Sequence, residues 1–123
     1  PYRRQRQMCI RDRGDGINRV LTIILAMLNA RDGILLIDEF ENGLHYSVQQ
    51  KLWKVIFSLS KSLNIQVFVT THSRDAIRAF AAENKENDGV FIRLERRKDK
   101  VITISYDDKE DLDLVLEQDI EIR

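Results

Sequence analysis

The chain has 123 residues, 43% hydrophobic and 33% charged, enough for one core in a single domain or part of one. Its single cysteine, Cys9, excludes an internal disulfide and a cysteine-based zinc site, and no apolar run is long enough to span a bilayer. The formal net charge is zero but unevenly spread: residues 1–13 hold five arginines against Asp12, and residues 107–123 hold eight acids against Lys109 and Arg123. A reducing, cytoplasmic setting with no membrane partner is the default expectation.

The opening PYRRQRQMCIRDR has no apolar period, caps or turn logic. Its arginines could touch nucleic acid, which the acidic tail would repel; the simpler reading is a solvated arm and a solvated helix face. The segment resembles translated sequencing-adapter read-through. Residues 1–13 are therefore expected to be a non-native or disordered basic leader, and residues 14–123 the folded unit.

From Gly16 the text is regular. Ile17, Val20, Leu21, Ile24, Leu25 and Leu28 recur at helical spacing, predicting a helix over 16–31 with one broad buried stripe. The turn Arg31-Asp32-Gly33 leads into Ile34-Leu35-Leu36-Ile37, a short apolar run that fits a strand buried on both faces. Ser47 is a plausible N-cap for a second helix, carried by Val48, Leu52, Val55, Ile56, Leu59 and Leu63. Ile65 to Thr71 reads as a second buried strand. Ser73 can cap a third helix with Ala76, Ile77, Phe80 and Ala81 inward. Strand, helix and strand in so few residues make a parallel βαβ unit. Residues 89–95 and 101–106 then predict an antiparallel hairpin, and Leu112, Val115 and Leu116 a final short helix. The fold class is α/β.

Three places carry chemistry. Four apolar residues followed by Asp38-Glu39 set two carboxylates at the C-terminal tip of a parallel strand, the edge where open α/β sheets bind ligands. One acid there can hold Mg²⁺, and its neighbour can position or deprotonate a water. The bland alternative is a strand that merely surfaces. Thr70-Thr71-His72-Ser73 ends the next strand at the same edge, so His72 can donate to a phosphate oxygen or simply bond to a turn. Gly14-Asp15-Gly16 stands directly before a helix, where free N–H groups can hold an anion, though it also suits an ordinary turn.

In this order the pieces resemble the ABC-type P-loop ATPases, and most closely the AAA_21/OLD-like group. GDGINR resembles that group's signature, ILLIDEFENGLH its extended Walker B and D-loop, VFVTTHS its switch-histidine strand, and the terminal IEIR its usual ending. The resemblance covers residues 14–123 and implies the C-terminal part of a three-layer P-loop NTPase fold. It implies that Asp38 coordinates Mg²⁺, Glu39 polarises the hydrolytic water and His72 senses the γ-phosphate of ATP. Gly14, Asp15 and Gly16 would reach the γ-phosphate held by a second subunit, and Asn42, Gly43, Leu44 and His45 would form the D-loop. A homodimer with composite ATP sites follows, and OLD-like relatives often work with a nuclease or effector partner.

The chain departs from that pattern in one respect: no G-x-x-x-x-G-K-[ST] loop occurs in it. The Walker A strand, which in this superfamily lies beside the His72 strand, is absent, so an apolar sheet edge is expected to be exposed and the chain alone to be inactive. Two other functions stay open. One is a non-catalytic module that docks to a partner. The other is a metal-dependent nuclease or phosphatase built from Asp38, Glu39, His45 and His72.

Overall fold

The computed structural model describes residues 2–117, with side chains from Gly16 onward apart from Lys109. Its elements are α1 (Tyr2–Asn29), β1 (Ile34–Ile37), α2 (Tyr46–Ser62), β2 (Gln66–Val69), α3 (Arg74–Glu83), β3 (Phe91–Arg97), β4 (Lys100–Tyr106) and α4 (Lys109–Glu117). Strand β1 pairs in parallel with β2, from Ile34 opposite Gln66 to Ile37 opposite Val69. Strands β3 and β4 form a separate antiparallel hairpin, from Phe91 opposite Tyr106 to Arg97 opposite Lys100. The α/β class, the parallel βαβ core, the hairpin and the closing helix are all present as expected. The IEIR ending lies outside the described residues.

The principal core joins α1, α2 and α3 to one face of the parallel pair. Met27, Phe40 and Leu52 are fully buried there with Ile23, Ile37, Trp53 and Ile56, and Leu35, Val67 and Val69 pack against them. Each such side chain contributes about 1.5–3 kcal/mol by leaving water. Aromatic contacts knit the centre: Phe40 stacks on Trp53 at 4.5 Å, and Phe80 meets the Trp53 ring edge-on at 5.1 Å. The Trp53 indole N–H donates to the Ala76 carbonyl at 3.0 Å, satisfying the one polar atom this buried ring brings in.

Burial on both sheet faces is corrected by the structure. Side chains alternate across a strand, so Leu35 and Ile37 face the helices while Ile34 and Leu36 face away, 64% and 74% exposed. Phe68, opposite Leu36, is half exposed on that same outer face. Among the described residues helices cover only one side, so the arrangement has two layers where three were expected. The α1 stripe is corrected likewise: Ile23 and Met27 enter the core, while Ile17, Leu21, Leu25 and Leu28 stay exposed.

Two helix starts also differ from expectation. Helix α2 is capped by His45 rather than Ser47: the extended backbone at His45 places its Nδ1 to accept from the Ser47 amide at 3.4 Å. Helix α1 begins at Tyr2 and runs through Gly14, Asp15 and Gly16. Ser73 caps α3 as expected, its hydroxyl accepting from the Ala76 amide at 3.4 Å.

A second, smaller cluster holds the hairpin side. Ile77 and Ala81 of α3 bury against Leu112 and Leu116 of α4, with Phe91 and Tyr106 stacked beside them at 5.6 Å. The segment from α3 to β3 is fixed by Asn84, whose side chain donates to the Gly89 carbonyl at 2.7 Å and accepts from its amide at 3.0 Å. Gly89 lies against the Phe80 ring so closely that a Cβ would come within 2.7 Å of it. Only glycine allows that approach without a shift.

Candidate functional site

The tips of β1 and β2 are bound into one unit by backbone bonds that continue the parallel ladder. The Thr70 amide donates to the Ile37 carbonyl at 2.9 Å, and the Phe40 amide returns to the Thr70 carbonyl at 3.0 Å. Beyond Ile37 the chain leaves the strand with Asp38 and Glu39 exposed and Phe40 fully buried. Phe40 is the anchor: seated on Trp53, it fixes where the acids on either side of it stand.

Thr70 then links the two acids. Its hydroxyl donates to Asp38 Oδ1 at 2.5 Å and accepts from the Glu39 amide at 2.9 Å. One oxygen therefore orients a carboxylate and a backbone turn together. Glu39 itself has φ 48°, in the left-handed region that non-glycine residues seldom occupy. Holding it there costs about 1–3 kcal/mol, which the surrounding bonds must offset. Arg19 of α1 contributes to that: its Nη2 donates to the Asp38 carbonyl at 2.7 Å and to the Glu39 carbonyl at 3.2 Å. The Asn42 amide donates to the same Glu39 carbonyl at 2.9 Å.

Glu41 makes the second bridge. Its Oε2 accepts from the Thr71 hydroxyl at 2.5 Å and its Oε1 from the His72 amide at 2.9 Å. Partial burial pushes the Glu41 carboxyl up, but these two donors, its own amide and the His72 charge together hold it below the ordinary carboxylate range. The His72 side chain is exposed at the same strand edge as Asp38 and Glu39.

Three of the expected site residues, Asp38, Glu39 and His72, are thus brought to one edge. Others are placed differently. The run Gly14-Asp15-Gly16 lies inside α1, where helical amides are committed to the preceding turn, so no helix start offers free N–H groups there. The side chain of Asp15 falls outside the described ones. Gly16 faces the Gly43 carbonyl, and a shallow apolar crevice runs between α1 and the start of α2 with the residues before it, lined by Ile17, Val20, Leu21, His45 and Val48. Gly43, with φ 73°, makes the turn behind Asn42. Leu44 is buried and His45 is occupied at the α2 cap, against Tyr46.

No group of three or more histidines, cysteines or acids close enough to hold a metal exists among the described residues. The four-residue set of Asp38, Glu39, His45 and His72 is therefore not assembled. An exposed Asp38 carboxylate in a setting of hydroxyl and carbonyl oxygens nevertheless suits Mg²⁺, which takes one or two carboxylates and completes its shell with water and phosphate. No helix among the described residues is long and apolar enough to cross a membrane.

Thr70, Glu41 and Arg19 fall inside the motifs read from the sequence, but no role was assigned to them there. Thr70 could have been found by register, since it follows Val69 as Asp38 follows Ile37. The roles of Arg19 and Glu41 arise from contacts to backbone atoms about twenty and thirty residues away, which carry no sequence pattern.

The AAA ATPase domain family, AAA_15, matches residues 4–77, from within the expected leader through the whole site. The chain is similar to an ATP/GTP phosphatase of Helicobacter pylori, with 37% identity over 78 residues, 61% of this chain and 21% of that protein. It is also similar to an uncharacterized protein of Methanocaldococcus jannaschii, with 35% identity over 81 residues, 66% of this chain and 70% of that protein. The chain spans about a fifth of the Helicobacter relative. No solved structure matches it. With a match over more than half its length that contains both strand tips, the chain belongs to the AAA_15 family of AAA ATPase domains, within the P-loop NTPase superfamily.

Proposed function

We propose that this chain supplies the carboxylate and histidine half of an ATP-hydrolysing site of the ABC-type, AAA_21/OLD-like arrangement. The observation that carries the reading is the Thr70 hydroxyl, which ties the Asp38 carboxylate to the Glu39 amide at the C-terminal edge of a parallel pair. In that reading Asp38 holds Mg²⁺, which when bound would neutralise phosphate charge. Glu39 accepts a proton from, or orients, the attacking water, and the His72 ring donates to a phosphate oxygen. The phosphate-cradling loop lies outside this chain, so hydrolysis belongs to a longer protein that carries it.

The approach of Gly16 to the Gly43 carbonyl supports the dimer part of the proposal, since these are two of the residues expected to meet a second subunit. A second subunit would there meet Gly14, Asp15, Gly16, Asn42 and Gly43. A cytoplasmic setting and an effector partner belong to the same reading.

The test is Glu39→Gln in the longer protein. ATP binding is expected to persist while turnover falls at least ~100-fold, the usual contribution of a positioned base. Undiminished hydrolysis sinks the assignment.

The bare face of Ile34, Leu36 and Phe68 favours a second reading, a docking module without catalysis. The upstream reading frame separates the two. A G-x-x-x-x-G-K-[ST] motif there supports the first, and a start codon near Met8 the second.

A further inference from the structure

The four residues from Thr70 to Ser73 connect β2 to α3 without regular structure of their own. Such a link would normally be the loosest part of the edge. Here each residue is held. Thr70 is bound to Asp38 and to the Glu39 amide. The Thr71 hydroxyl donates to Glu41 and accepts from the Ser73 amide at 3.1 Å. Ser73 caps α3. The His72 amide also donates to Glu41. A single carboxylate therefore satisfies two consecutive residues of the link, one through each oxygen.

We propose that Glu41 is the positioning residue for His72: its carboxylate clamps the backbone on which the histidine is carried, so that the exposed ring stays at the edge occupied by Asp38 and Glu39. Glu41 is itself rigidly placed. Its carbonyl accepts from the Leu44 amide at 3.0 Å, Leu44 is buried, and Phe40 before it is seated in the core. The clamp thus transmits the position of the Phe40 anchor to the histidine across the gap between the strand tips. The catalytic meaning of the clamp rests on the proposed role of His72, but its existence does not.

Amide hydrogen exchange on the complete chain tests it. A bond to a charged carboxylate is worth about 1.5–3 kcal/mol, so Glu41→Ala, which removes the acceptor outright, is expected to speed exchange at His72 about tenfold or more. The Thr70 amide, which donates to the Ile37 carbonyl, should change less than about twofold, since tenfold corresponds to ~1.4 kcal/mol and that bond is untouched. Equal acceleration at both amides would mean general loosening and would overturn the proposal, as would unchanged exchange at His72.

An acid titration of the unmodified chain gives an independent readout should the variant fold poorly. The His72 amide proton should show a step as Glu41 is protonated, below the usual carboxylate range, that the Thr70 amide does not share. The ring protons of His72, whose charge acts on Glu41, are followed in the same spectra as a reference. A His72 amide blind to acid overturns the clamp. Neither experiment uses hydrolysis, so failure of the ATPase reading and failure of the clamp are separable.

Discussion

The parallel pair β1–β2 and the antiparallel hairpin β3–β4 are both two-stranded, yet they are stabilised in opposite ways. The hairpin strands are seven residues each and joined by a tight turn, so their pairing is local. The parallel strands are four residues each and need α2 between them, and three helices bury one of their faces. Distance along the chain is what allows the parallel pair to bring Asp38 and His72 to one edge. The family match follows the same division: it ends at Ile77, before the hairpin. The candidate site sits where the contacts are long-range.

The largest expected effect breaks the first region. Phe40→Ala empties the centre of the aromatic cluster and should cost about 3–5 kcal/mol in stability by denaturant titration. The Asp38–Glu39 turn should lose its place at the same time, visible as faster exchange at the Phe40-to-Thr70 ladder. Leu112→Ala strikes the second region and should cost about 2–3 kcal/mol, the lower part of the range for a leucine in a small cluster. Native-state exchange should then open β3 and β4 while β1 and β2 stay protected. Simultaneous opening of all four strands would show that the regions are one cooperative unit. Ser73→Ala is the smallest, about 1 kcal/mol for a lost cap. Because α3 contributes Ala76 and Ala79 to one cluster and Ile77 and Ala81 to the other, this loss should appear in both regions equally.

Much of this division was legible in the residues. The apolar run Ile34–Ile37 ends at two acids, and its bounds are those of β1. The hairpin was visible as two short strand-like segments, 89–95 and 101–106, and α3 from Ser73. The shared edge of the candidate site was legible in the sequence, but the bonds that hold it were not. Asp38, Glu39 and His72 announce themselves by type and place, whereas Thr70, Glu41 and Arg19 work through backbone atoms of distant residues. The start of α1 was misread because glycines at 14 and 16 looked like a boundary, yet the helix continues through them. Burial was misread because Ile34 and Leu36 are as apolar as Leu35 and Ile37, and only the fold decides which face is covered.

The left-handed backbone at Glu39 bears on what selection would do at that position. Glycine adopts this conformation at no steric cost and asparagine at little. A library at residue 39 screened only for folded, abundant protein should therefore drift toward glycine and asparagine, gaining stability of the order of 1 kcal/mol. A glutamate there is not what folding alone would choose. On the proposed role of Glu39, the same library placed in the longer protein and screened for nucleotide turnover should hold the glutamate against that drift, and the gap between the two outcomes would measure how much stability the carboxylate is worth.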